Sequence, residues 1–209
     1  MAERHLHEAP PPDSETADRR RTAITAGHSA DPGTALRLLD DPEPVVRAAA
    51  LGALARLAAL TDEALDTALD DPASEVRRRA LELCVEADRS ATALLDDPDP
   101  KVVEVACWVA GERPGEGDHS VHSLVRIATT HDDPLCRESA VAALGAIGHP
   151  EGRAAVLAGL DDKAPIRRRA VLALAPFEGP EVVAALERAL EDRDWQVRQA
   201  AEDLIGLIG

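Results

Sequence analysis

Residues 40–51 read DDPEPVVRAAAL, which joins an acidic turn, two prolines, a Val-Arg pair and an Ala-Leu pair. Proline disfavours the helical conformation for the residue before it, so one helix ends at the aspartates and the next begins near Pro44. From Val46 onward the apolar residues follow the i, i+3, i+4, i+7 spacing of a helix buried along one side. The stretch therefore predicts a helical hairpin, with helix A before the turn and helix B after it.

The same stretch recurs along the chain. Alanines that align with Ala50 fall at positions 80, 106, 140, 170 and 201, which gives steps of 30, 26, 34, 30 and 31 residues. Such steps are typical of one helical hairpin per repeat, and these hairpins bury their apolar sides only by stacking. Upstream, Ala23 fits the same register. The sequence therefore predicts an all-α array of about six hairpins plus an amino-terminal capping helix.

The repeat register sets the predicted domain organisation. Residues 1–13, with their run of three prolines, are predicted to be a disordered tail, and residues 14–209 a single repeat domain. The half-repeat covers residues 14–30, and the full repeats cover about 31–58, 59–87, 88–113, 118–148, 149–177 and 178–209. Asp31, Thr61 and Ser90 precede three of the helices A and suit the N-cap position.

Composition and charge argue against several classes of protein. The net charge of −16 disfavours nucleic acid and an anionic membrane as partners, because both attract basic surfaces. No apolar run approaches the roughly 18 residues of a membrane span. Three cysteines without a CxxC spacing indicate a reducing compartment. We therefore expect an acidic cytoplasmic protein.

The recurring acidic turn, Val-Arg pair and Ala-Leu-Gly sequence resemble the HEAT-repeat family, and specifically its short bacterial and archaeal subgroup named after phycobilisome lyases. The resemblance covers roughly residues 20–209. It implies a right-handed α-solenoid of the armadillo/HEAT type, with helices A on the convex face and helices B on the concave face. It also implies a ladder in which turn aspartates pair with helix-B arginines of adjacent repeats. The ladder positions are Asp41, Arg47, Asp71, Arg77, Asp97, Asp133, Arg137, Asp162, Arg167, Asp192 and Arg198. Val103 interrupts this series, so the third repeat is predicted to be the weak link.

Positions next to the anchor alanines on helices B are predicted to face the concave surface. The candidate partner-binding residues there are Arg78, Arg79, Glu82, Glu104, Trp108, Glu138, Arg168, Arg169 and Leu172. Trp108 stands where other repeats have Gly, Glu or Ala, so it is either an exposed interface residue or a filler beside small neighbours. The arginines either bind carboxylates or phosphates of a partner, or pair with the nearby glutamates.

Candidate catalytic and metal-binding residues do not form a recognisable site. Asp118, His119, His122, His131, Asp132, Asp133 and Cys136 are of metal-ligand types. On one helix, however, His122 and His131 would lie roughly 13 Å apart, too far for one ion. His119 and His122 either share a surface ion or remain solvated. The family includes iron-dependent hydroxylases with paired His-Glu dipeptides, but this chain has only His7-Glu8. No phosphate-binding loop, nucleophile elbow or HExxH motif occurs, so we predict no catalytic, cofactor-binding or metal-binding residue and no enzymatic activity.

The sequence favours a non-catalytic scaffold or adaptor that binds a protein partner on its concave face. The acidic body favours partners with basic patches. One alternative, from the resemblance, is an enzyme or accessory subunit similar to phycobilin lyases, which handle a linear tetrapyrrole; the scarcity of aromatic residues argues against it. A HEAT-like nucleic-acid-binding protein is a weaker alternative, because it needs a basic face and stacking aromatic residues.

Overall fold

The computed structural model describes residues 13–87, 89, 90, 92–112 and 117–208. Within these ranges all regular structure is helical. The α-helices are α1 (Ser14–His28), α2 (Pro32–Arg37), α3 (Pro44–Arg56), α4 (Asp62–Leu69), α5 (Ser74–Cys84), α6 (Pro100–Glu112), α7 (Gly117–Thr130), α8 (Pro134–Ile147), α9 (Arg153–Ala158), α10 (Ala164–Ala173), α11 (Pro180–Ala189) and α12 (Trp195–Ile208). Short 3₁₀ helices lie at Leu38–Asp40, Thr92–Asp96, Pro150–Gly152 and Gly159–Asp161.

Capping side chains set the starts of two helices A. Asp31 accepts a hydrogen bond from the amide of Thr34 at 3.0 Å, at the start of α2. Thr61 accepts one from the amide of Ala64 at 3.2 Å, at the start of α4. Each cap satisfies an amide that has no partner within its own helix. Both agree with the sequence prediction.

The third repeat has a 3₁₀ helix in place of an α-helical helix A. After Ser90 the chain forms the 3₁₀ helix Thr92–Asp96, and α6 then begins at Pro100. The step from Ala80 to Ala106 is 26 residues, the shortest of the five. A step of this length leaves too few residues for a full helix A as well as a turn and a helix B.

The described residues divide inside α5 into an amino-terminal unit, up to Ala80, and a carboxy-terminal unit, from Leu81. In the amino-terminal unit α1 and α2 pack against α3. In the carboxy-terminal unit α6, α8, α10 and α12 pack in series, with α7 and α9 against α8 and α11 against α12. Helices B thus stack on one another, as expected for repeats that bury their apolar sides against their neighbours. One continuous domain over residues 14–209 stays a prediction.

The anchor alanines lie in the buried core of the repeats. All seven, from Ala23 to Ala201, have no exposed surface. Small residues allow the helix backbones to approach closely. At Gly145 of α8, an added Cβ would lie 2.5 Å from the Cβ of Ala173 on α10. The close approach of α8 and α10 therefore requires a small residue at this contact.

None of the helices in the described ranges has the length and apolar character needed to cross a membrane.

Candidate functional site

Among the described residues, three arginine–aspartate pairs with two hydrogen bonds each join consecutive repeats, and each pair lies within one unit. Each arginine lies on a helix B and donates two hydrogen bonds to a turn aspartate 24 or 25 residues further along the chain. The pairs are Arg47–Asp71 (2.8 and 2.7 Å), Arg137–Asp162 (2.7 and 2.9 Å) and Arg167–Asp192 (2.8 and 2.7 Å). In each pair the arginine Nη1 also donates to a backbone carbonyl of the turn before its own helix, at 2.7 to 2.9 Å. One guanidinium thus joins the turns of two successive repeats.

These contacts change the pKa values of both partners. The hydrogen bond from Arg167 lowers the pKa of Asp192 although burial opposes the shift, and the same bond raises the pKa of Arg167. At Asp71 burial is the largest effect and favours protonation, but hydrogen bonds from Arg47 and the Ala73 amide outweigh it, so the pKa is lowered. The carboxylates therefore stay ionised at a lower pH than an ordinary aspartate.

The turn before α8 differs from the predicted ladder. His131 lies six residues before Arg137, as Asp71 lies six residues before Arg77. It therefore occupies the position that corresponds to Asp71. The Nδ1 of His131 accepts a hydrogen bond from the Asp133 amide at 3.1 Å, and its carbonyl accepts one from Arg137 at 2.7 Å. Asp133 does not hold the ladder position, contrary to the prediction. It caps α8 by accepting the amide hydrogen of Leu135 at 2.8 Å.

The ladder contact between the third and fourth repeats lacks both of its charged residues. The arginine position of α6 is occupied by Val103, which is 2% exposed, and the aspartate position by His131. Removing one partner of a buried ion pair leaves an uncompensated charge, which is strongly destabilising, whereas replacing both avoids that cost. A different ion pair, between Arg126 of α7 and Asp96, contacts the turn before α6.

The ladder contact of Asp41 is made by Arg19, which is not among the predicted ladder residues. Arg19 of α1 donates through Nε to Asp41 at 2.9 Å, and Asp41 is 8% exposed. The spacing from the anchor alanine places Arg20 there instead, one residue later. The run of three arginines at residues 19–21 signals a contact of this kind but does not show which arginine makes it.

A groove opens between α6 and α8 in the carboxy-terminal unit, with a volume of about 380 Å³. Glu104 and Trp108 of α6, Glu138 of α8 and Arg169 of α10 line it. Small residues leave the space open, and those in the lining are Gly111, Ser139, Ala142, Ala143 and Ala146. No residue of α7 or α9 is part of the lining, so the groove belongs to the surface that helices B form.

Trp108 is exposed in this groove. Its exposed fraction is 45%, although small residues surround it. Of the two interpretations that the sequence leaves open, the exposed residue is the one observed.

Carboxylates outnumber cations around Trp108. Glu104, Glu112 and Glu138 line the groove together with one cation, Arg169. Arg169 Nε lies 3.8 Å from Glu138 Oε1. Glu104 has no ion-pair partner among the described residues. The groove is therefore acidic, and one of its carboxylates is available to a ligand.

The remaining candidate partner-binding residues lie outside the groove. They are Arg78, Arg79 and Glu82, half-buried on α5, and Arg168 and Leu172, exposed on α10. The guanidinium of Arg79 lies over the backbone of α3, where a Cβ added to Gly52 would be 2.8 Å from Nη2. The structure thus brings together four of the nine candidates: Glu104, Trp108, Glu138 and Arg169.

The histidines and cysteines form no group suited to a metal ion in the described part of the chain. His122 Nε2 lies 3.5 Å from Glu151 Oε2, and both side chains are exposed. The Nδ1 of His131 already accepts a hydrogen bond from the Asp133 amide. The side chains of Asp118 and His119, and the dipeptide His7-Glu8, lie outside the described residues.

Cys84, Cys107 and Cys136 are buried, and none of them forms a disulfide. Burial raises the pKa of Cys136 to about 12 and raises that of Cys107 further. The Cys136 thiol also donates to the Pro100 carbonyl at 3.1 Å. Because the thiolate is the nucleophilic form, neither Cys107 nor Cys136 is activated for covalent chemistry.

Three family descriptions match parts of the chain. "HEAT repeats" matches residues 87–175, "HEAT repeat" matches residues 34–60, and "PBS lyase HEAT-like repeat" matches residues 166–192. No curated protein sequence matches the chain.

Solved structures with similar folds include two designed proteins. A designed armadillo repeat protein in complex with the peptide (KR)4 matches with a TM-score of 0.51 and 18% identity, over 95% of each chain. A second designed armadillo repeat protein matches with a TM-score of 0.49 and 17% identity, over 95% of this chain and 96% of that one. Human deoxyhypusine hydroxylase in complex with glycerol has a TM-score of 0.47 and 20% identity, over 93% of this chain and 80% of that chain. At these identities the first match shows the fold alone, which is an all-α repeat fold of the armadillo/HEAT type. The stacked hairpins and the three family matches together show that this chain belongs to the HEAT-repeat family.

Proposed function

We propose that this chain is a non-catalytic scaffold or adaptor that holds a segment of a protein partner on the surface formed by its helices B. The observation that carries the proposal is the groove between α6 and α8, with Trp108 exposed in it. Tryptophan and arginine are the residues that most often dominate the free energy of binding at protein interfaces, especially inside pockets. Trp108 and Arg169 supply both types at one place.

The repeat fold supports this function. Stacked helices B hold their surface side chains at a regular spacing, which suits an elongated ligand. A designed armadillo repeat protein with a similar fold is in complex with a peptide. Arg168 and Leu172 are exposed on α10, next in the stack after α8, and we assign them to the periphery of the same partner contact.

The net charge suggests the type of partner, and the cysteines suggest the location in the cell. The net charge of −16 favours partners with basic patches and disfavours nucleic acid. Cysteines that form no disulfide are stable in a reducing compartment, so we propose a cytoplasmic location.

Affinity capture with matched tryptophan variants tests the binding function. Trp108→Ala removes the exposed indole from the groove. Trp195→Ala removes an indole that is 64% exposed but lies outside the groove, and serves as the control. Truncating an interface hot spot costs about 2 kcal/mol or more, roughly a 30-fold loss of affinity. We expect proteins retained by the wild type and by W195A to be lost from W108A, as measured by quantitative mass spectrometry of captured native lysate.

Circular dichroism of the three proteins controls for folding. If folded W108A retains the same partners at the same level as the wild type, the groove is not the binding surface.

A second candidate function follows from the match of residues 166–192 to PBS lyase HEAT-like repeats. In this alternative the chain is a lyase-like enzyme or accessory subunit that handles a linear tetrapyrrole. Titration with a linear tetrapyrrole tests it, because a bound chromophore changes its absorbance spectrum and acquires circular dichroism. An unchanged spectrum at saturating protein would exclude the alternative.

A further inference from the structure

We infer that the groove between α6 and α8 takes a single cationic side chain, arginine or lysine, from an extended basic segment of the partner. The inference rests on the proposed binding function and adds the chemistry of the group that enters the groove. It follows from the charge of the lining, the position of the indole and the size of the space.

The charge of the lining favours a cation. Three carboxylates and one guanidinium line the groove, and Arg169 is already 3.8 Å from Glu138. Glu104 has no cationic partner among the described residues. Glu104 and Glu112 would therefore repel an anionic ligand, and Arg169 is already close to Glu138. A cationic ligand would instead neutralise the carboxylate of Glu104.

The indole of Trp108 stands between two of these carboxylates on the same helix. Glu104 and Glu112 lie four residues before and four residues after Trp108 in α6, so the three side chains follow one stripe of the helix. Tryptophan is the aromatic side chain that attracts cations most strongly, at distances up to about 6 Å from the ring centroid. A cation placed over the indole is thus within reach of a carboxylate on each side.

The size and composition of the groove suit one long side chain. Its volume of about 380 Å³ is at the lower end of ligand pockets, which span roughly 300–1,000 Å³. Leu135, 55% exposed, and Ala142 provide apolar surface in the lining. Lysine and arginine bury their aliphatic stems on such surfaces while the charged group stays with polar partners.

A peptide titration with a charge-matched control tests the inference. The probe is a fluorescein-labelled nonapeptide in which Arg and Ser alternate, and its affinity is measured by fluorescence anisotropy. Glu104→Gln removes one carboxylate of the groove. Glu187→Gln makes the same change in charge at an exposed position of α11 outside the groove. We expect Glu104→Gln and Trp108→Leu each to weaken binding at least about five-fold, and Glu187→Gln less than about 1.5-fold.

Two further measurements separate a specific site from general attraction to an acidic protein. In a Trp195→Phe background Trp108 is the sole tryptophan, and its fluorescence should change on titration with the same dissociation constant as the anisotropy. A peptide with citrulline in place of arginine keeps the shape but loses the charge, and should not bind measurably. Equal weakening by Glu104→Gln and Glu187→Gln, or equal binding of the citrulline peptide, would overturn the inference.

The inference and the proposed function can fail separately. If Trp108→Ala abolishes partner capture but the captured partner is unaffected by Glu104→Gln, and its segment crosslinked to the groove contains no Arg or Lys, the binding function stands and the cationic occupant is wrong.

Discussion

Replacement of Asp192 by alanine is expected to destabilise the contact between α10 and α12. Arg167 is 5% exposed and donates to Asp192 at 2.8 and 2.7 Å. In the variant its charge stays buried with the Asp162 carbonyl, at 2.9 Å, as its remaining acceptor. Removing one partner of a buried ion pair costs about 3–5 kcal/mol, and we expect about 3 kcal/mol because the Asp192 side chain is 15% exposed and water can reach the pair. In a chain of this length, that loss lowers Tm by about 6–12 °C.

Urea denaturation followed by circular dichroism measures the change in unfolding free energy. Amide hydrogen exchange is measured in parallel, because repeat proteins also open locally; exchange should accelerate in α10 and α12 before it does in α1–α3. The double variant R167M/D192L removes both charges and should be more stable than D192A. Asp18→Ala is the control, since Asp18 and Arg21 form an ion pair whose side chains are 70% and 74% exposed, and it should leave the midpoint unchanged. The reasoning would be refuted if D192A unfolds at the wild-type urea concentration, or if the double variant is less stable than D192A.

Three other expectations concern acid, helix contacts and thiols. The pKa of Asp162 is lowered in the folded state. Its contribution to stability is therefore complete above about pH 4 and is lost as the pH falls through the pKa of the folded state. Urea midpoints that do not decrease from pH 5 to pH 3 would contradict this. Gly145→Ala should destabilise the protein by about 1–3 kcal/mol, because the new Cβ would overlap Ala173. Gly206→Ala in α12 should be neutral or stabilise by up to about 1 kcal/mol, because a Cβ there would meet no neighbouring side chain within 4 Å. Thermal denaturation distinguishes the two variants, and equal Tm values would be inconsistent with the packing. Cys136, with a pKa of about 12, should resist iodoacetamide at pH 8 in the folded protein and react in urea; complete labelling of the native protein, detected by mass spectrometry, would show that the thiol is accessible.

The repeat register was predictable because it depends on local properties of the chain. Proline and the acidic turn end one helix and start the next, and the anchor alanines recur at the spacing of a hairpin. All these alanines are buried, as the apolar periodicity predicts. The exception was the third repeat, where a short step reduced helix A to the 3₁₀ helix Thr92–Asp96.

Side-chain partners were harder to predict, since they depend on residues about 25 positions apart. The predicted ladder included Asp133, but His131 holds that position in the structure. The arginine that pairs with Asp41 is Arg19, which the predicted ladder did not include. A shift of one residue rotates a helix position by about 100°, and only the packed distance between helices decides which side chain reaches its partner.

The sequence by itself determined that this chain is a stack of helical hairpins, because helix periodicity, turn residues and alanine spacing are properties of short segments. Only the tertiary structure decided that Trp108 is exposed, that Glu104, Glu138 and Arg169 surround it, and that the groove is open. The physical reason is that a groove exists where side chains from neighbouring repeats leave space unfilled. That space depends on the separation of helices α6, α8 and α10 in three dimensions, and no single repeat encodes it.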